Sequence, residues 1–138
     1  MKTAKLLIAI MIAATCQGVY AHEGEDHDAP VTTKAPNRGS MKALEETYVE
    51  VLAKGKDVKI YLHDKKLNPK LVKDFIVTAK AEMPRTKKTE VISLTAKENY
   101  FEGTFDAQGT HRYILHVAVK DPATGHDDKL KFTIEPKK

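Results

Sequence analysis

Val58-Lys59-Ile60-Tyr61-Leu62-His63, following Lys54-Gly55-Lys56-Asp57, alternates apolar and polar residues without a break. Successive side chains of an extended strand point to opposite faces, so Val58, Ile60 and Leu62 belong to a core face. Lys59, Tyr61 and His63 then face outward. Thr47 to Ala53 lies upstream of the glycine-containing turn, and the two stretches read as a β-hairpin.

Working outward, further strand candidates are Phe75 to Glu82, Thr89 to Ala96, Tyr100 to Phe105, His111 to Lys120 and Leu130 to Glu135. The breaks between them carry Pro84, Asn99, Gly109 and Asp121-Pro122-Ala123-Thr124-Gly125. That is about seven strands at regular spacing, with helical character limited to one turn at Asn68-Pro69-Lys70-Leu71. The expected class is therefore all-β, an antiparallel immunoglobulin-like sandwich. Alternation adds Tyr113, Leu115, Val117 and Val119, and Leu130, Phe132 and Ile134, to its core. Arg112, His116 and Lys120 face out, as do Lys129, Lys131, Thr133 and Glu135, which leaves the last strand with a charged outer face.

The amino-terminal residues have a different texture. Lys2 and Lys5 precede the apolar run Leu6 to Ala14, and Val19-Tyr20-Ala21 supplies small residues at positions suited to cleavage. This is the pattern of a secretory signal over residues 1–21, with an apolar run too short to span a bilayer. Acylation at Cys16 is the alternative processing route, but Thr15 fits poorly before a lipoprotein cysteine. Cleavage after Ala21 sends the chain to the periplasm without membrane insertion and removes its only cysteine. Residues 22–42 then read as an acidic, histidine-containing tail and linker, and residues 43–138 as the sandwich.

Loss of Lys2 and Lys5 turns 23 basic against 19 acidic residues into 21 against 19, a charge of about +2. So small a balance gives no case for nucleic-acid binding. Without the cysteine there is no disulfide and no thiolate, and stability must come from an ordinary apolar core. The familiar catalytic patterns are missing: the chain has no Gly-x-Ser-x-Gly, no His-Glu-x-x-His and no phosphate-binding glycine loop. The expectation is a protein that is not an enzyme.

The tail His22-Glu23-Gly24-Glu25-Asp26-His27-Asp28 brings two imidazoles and four carboxylates into seven residues. Imidazole suits Cu(II) and Zn(II), and carboxylates can complete a ligand shell. Cleavage after Ala21 would add a free α-amine on His22, able to chelate one ion together with its own ring. His22, His27, Asp26 and Asp28 are thus candidate metal ligands. His126 and Asp127, expected in the long turn before the last strand, are further candidates. His111 and His116, five residues apart on one expected strand, would face opposite ways unless that strand begins after His111.

Val58 to Asp64, the polar turn with Asn68-Pro69, the segment Thr89 to Leu94, and Tyr100-Phe101-Glu102-Gly103 before an aliphatic strand together resemble small exported domains of the YtkA-like type. The resemblance covers about residues 44 to 135. Similar domains occur beside, or fused to, periplasmic adaptor subunits of heavy-metal efflux systems, and the His-Glu-Gly-Glu-Asp-His start is similar to leaders found there. What it implies is a periplasmic sandwich with a metal link, an efflux adaptor or other envelope protein as partner, and no catalytic residue. The chain is also similar to periplasmic copper-resistance carriers in pairing an amino-terminal histidine with such a sandwich. Their methionine-rich segment is missing, since Met41 and Met83 stand alone, and this speaks against Cu(I). Two function classes follow: capture or buffering of a divalent metal, and a non-catalytic structural or protein-interaction module of the envelope.

Overall fold

The computed structural model describes residues 31–136. The signal segment, Cys16 and the candidate ligands His22, Asp26, His27 and Asp28 lie outside the described residues.

Nine strands form two antiparallel sheets: β1 Ser40–Ala43, β2 Tyr48–Lys54, β3 Asp57–His63, β4 Ile76–Glu82, β5 Thr89–Ile92, β6 Thr95–Ala96, β7 Tyr100–Thr104, β8 Tyr113–Asp121 and β9 His126–Ile134. One sheet has the order β1-β2-β3-β7-β6 and the other β5-β4-β8-β9. Its strands β2-β3-β7-β6 facing β4-β8-β9 reproduce the A-B-E-D and C-F-G sets of an immunoglobulin-like sandwich.

The residues expected to be buried fill the space between the sheets. Val58, Ile60 and Leu62 of β3 meet Tyr113, Leu115, Val117 and Val119 of β8 and Leu130, Phe132 and Ile134 of β9 in one core cluster. Phe105 meets the Tyr113 ring edge-on at 4.7 Å and 61°, a favourable aromatic geometry. Burial pushes the Tyr113 hydroxyl up to about 12, because its charged form cannot be hydrated there.

Three expectations are corrected. The stretch Thr89 to Ala96 is two strands: β5 pairs with β4 in one sheet, and β6 pairs with β7 in the other. The chain crosses between sheets at Ser93-Leu94, and Gly103 of β7 makes room for it. A Cβ on Gly103 would stand 2.7 Å from Ile92 Cγ2 and 2.8 Å from Ser93 O. Second, the last strand begins at His126 and pairs with β8 up to Asp121↔His126, so the long turn is shorter than its polar sequence suggests. Third, sheet structure begins at Ser40, inside the stretch read as linker, with Met41 buried in β1 and Ala35 buried just before it.

Candidate functional site

Three histidines of the described chain each stand beside a carboxylate, in three different settings. The most enclosed pair is Glu50 of β2 with His63 of β3. Both side chains project from the outer face of their sheet, as the alternation requires, yet they are 0% and 2% exposed. The cover is the segment before β1. Asn37 donates its backbone N–H to Glu50 Oε1 at 2.9 Å and its side-chain amide to Oε2 at 3.1 Å. Gly39 donates its N–H to Oε1 at 2.8 Å. Gly39 can come this close only without a side chain, since a Cβ would lie 2.4 Å from Val51 O. His63 Nε2 completes the set at 2.8 Å from Glu50 Oε2.

His63 Nδ1 is buried without a partner. The tautomer with its hydrogen on Nε2 fits this surrounding, because a hydrogen on Nδ1 would have no acceptor. The ring lies nearly parallel to Tyr61 at 6.2 Å, and Tyr61 leans on Tyr100 at 5.2 Å. Beyond β3, Asp64 accepts N–H bonds from Lys66 and Asn68 and an amide bond from Asn68. The Asn68 bonds hold its carboxyl below the usual range. Glu50 and its partners therefore form a clamp that fixes residues 37–39 against the sheet.

The second pair lies on the outer face of the other sheet, where His116 Nε2 is 2.7 Å from Glu82 Oε2. This bond, aided by Lys87 and Lys131, holds the Glu82 carboxyl below its ordinary value. Because β8 begins at Tyr113, His111 precedes the strand in an exposed loop and shares nothing with His116.

His126 forms the third pair, its Nδ1 3.5 Å from Glu45 Oε2. Both line a cleft of about 130 Å³ with Asp121 and Asp128, over Phe75 and Val119. The alternation of β9 separates the candidate pair His126 and Asp127. Asp128 shares the cleft with His126, while Asp127 sits across from Lys120 on the other side of the ladder. Among the described residues no three His, Cys, Asp or Glu side chains are grouped so as to hold a metal ion.

Sequence reasoning missed Glu50, Asn37 and Glu45. A glutamate at an outward position of an alternating strand looks like any surface residue. Its burial depends on Pro36-Asn37-Arg38-Gly39, more than ten residues away and wholly unremarkable in composition. Comparison of the chain with protein-family models, with curated proteins and with solved structures finds no match.

Proposed function

We propose that this chain is an exported, periplasmic, non-catalytic binding protein that captures a divalent transition metal, copper or zinc, through His22 and His27. Asp26 and Asp28 supply carboxylate oxygens, and the α-amine of His22 joins its own imidazole once cleavage leaves it first. The supporting observation is the clamp on Glu50. It anchors residues 37–39, which lead back to the histidine-bearing segment, to the sheet with three hydrogen bonds at one carboxylate, and His63 makes the fourth. Burying a carboxylate is unfavourable unless its oxygens are fully bonded, and here three of the four bonds hold that segment. His126 adds a half-exposed imidazole on the sandwich, whereas Asp127 is turned away from it and drops out of the ligand set.

Calorimetric titration of the intact mature protein with Cu(II) and with Zn(II) tests this, alongside His22→Ala, His27→Ala and His126→Ala forms. A dissociation constant below about 1 µM is expected, weakened tenfold or more (about 1.4 kcal/mol) by His22→Ala. Equal binding by wild type and His22→Ala would overturn it.

A second reading, an interaction module that docks an efflux adaptor or other envelope protein, is favoured by the edge strand β5. Val91 there is 66% exposed. An uncovered edge is a template for strand addition, so Val91→Lys would abolish such docking in a crosslinking assay while leaving the fold intact.

A further inference from the structure

The outer face of the four-stranded sheet is basic. Alternation sends Lys80 of β4, Lys120 of β8, and Lys129 and Lys131 of β9 to it, against Glu82 and Asp127. Glu82 is already engaged by His116 at 2.7 Å, with Lys87 at 3.7 Å, and Asp127 sits opposite Lys120 in the ladder. Neither Lys80 nor Lys129 makes an ion pair among the described residues. In register, Lys80, His116 and Lys131 form one row across three strands, with Thr78, Ala118 and Lys129 in the next. The small side chains Thr78 and Ala118 leave an open trough of about 510 Å³ between the lysines. Like charges gathered on one face repel each other and attract an anion.

The described chain begins beside this face. Val31 lines a hollow with Met41, Phe132 and Thr133. Thr133 is two residues from Lys131 on β9, the edge strand of the sheet. Nine residues separate Val31 from His22, a reach of about 30 Å when extended, while Thr133 to Lys129 spans only about 13 Å. The stretch from His22 to Asp28 carries Glu23, Glu25, Asp26 and Asp28 and no lysine or arginine.

We infer that residues 22–28 of this same chain dock on the outer face of the four-stranded sheet at the β9 edge, their carboxylates meeting Lys80, Lys129 and Lys131. Charge, reach and point of departure all favour this occupant over a separate anion. The docking requires no metal and stands independently of the function proposed above.

A spin label at Gly24→Cys, in a Cys16→Ser background of the otherwise intact protein, tests it by paramagnetic broadening of amide signals. Lys129, Lys131, Thr133 and Lys80 should broaden about twofold more than the sheet containing β2 and β3, and the excess should vanish at 1 M salt, where screening acts over about 3 Å. The exposed double substitution Lys129→Glu with Lys131→Glu should abolish it at low salt, with the remaining signals confirming an intact fold. Uniform broadening, broadening centred on the other sheet, or an excess that survives charge reversal would each overturn the proposal. So would vesicles rich in phosphatidylglycerol shifting Lys129 and Lys131 while the label leaves them untouched, which would give the face to a lipid surface.

Discussion

Replacing Glu50 by glutamine keeps the side chain's size and takes away a charge and one acceptor oxygen. Four donors now converge on the carboxylate: two backbone N–H groups, the Asn37 amide and His63 Nε2. A glutamine carbonyl at the Oε1 position keeps the two backbone donors of Asn37 and Gly39. Its amide group then faces Asn37 Nδ2 and His63 Nε2, donor against donor. Hydrogen bonds to a charged group contribute about 1.5–3 kcal/mol each, and a buried donor left unpaired costs about 1–3 kcal/mol. His63 can switch tautomer to accept from the new amide, but its Nδ1–H would then be buried with no acceptor. Two bonds lost with partial relaxation predict a destabilisation of about 3 kcal/mol, or a drop in Tm on the order of 10–15 °C for a domain of this size. Urea and thermal unfolding followed by circular dichroism give the number, and a double-mutant cycle with Asn37→Ala gives its origin. Because Asn37 supplies one of the two side-chain donors to Oε2, the two changes should couple by about 1 kcal/mol or more. Hydrogen exchange at the Asn37 and Gly39 amides should speed up in the Glu50→Ala form before the core strands respond. A loss in Glu50→Gln below about 1 kcal/mol, or strictly additive mutants, would refute the clamp.

Other outcomes follow from single positions. Gly103→Ala forces a Cβ to within 2.7 Å of Ile92 Cγ2 and 2.8 Å of Ser93 O, and should cost about 1–3 kcal/mol in denaturant unfolding. Tyr113, raised by burial from 10.0 to about 12, should stay protonated well above pH 10. Its folded value lies above its unfolded one, so the stability it contributes is complete below pH 10 and is lost as pH rises towards 12, readable by absorbance at 295 nm and by melts across that window. His116→Ala removes the main cause of the lowered Glu82 value, so the Glu82 carboxyl should titrate closer to 4.5 by NMR. Phe132→Ala empties a position only 1% exposed between the sheets and should cost about 3–5 kcal/mol.

The core was legible because it is governed by a local rule. Alternation alone separates Ile60 from Tyr61, or Leu115 from His116, and the opposing sheet merely confirms the inside. Features that depend on distant partners were not legible. The crossing at Ser93-Leu94 is invisible to a pattern with period two, because both halves of Thr89 to Ala96 remain extended while the hydrogen-bonding partner changes. His63 carries the outward parity that would place it in water, yet it is buried, bonded to Glu50, stacked beside Tyr61 and bridged to Pro69. Polar neighbours make His126 read as a loop residue, yet a hairpin can extend past its apolar portion when both strands remain paired. The same extension splits His126 from Asp127, since consecutive residues of a strand cannot serve one site.

Fixing residues 37–39 against β2 also sets a local concentration. Nine residues of chain reach no further than about 30 Å from Val31, and one tethered copy within such a sphere is equivalent to roughly 10 mM at any surface inside it. Weak pairings that would be negligible between separate molecules become substantially occupied under such confinement. A dissolved competitor of equal affinity for the lysines of β9 must itself approach roughly 10 mM to displace the tethered segment. Loosening the Glu50 clamp would enlarge the sphere and dilute its contents, so a residue buried on one sheet controls the occupancy of the other without touching it.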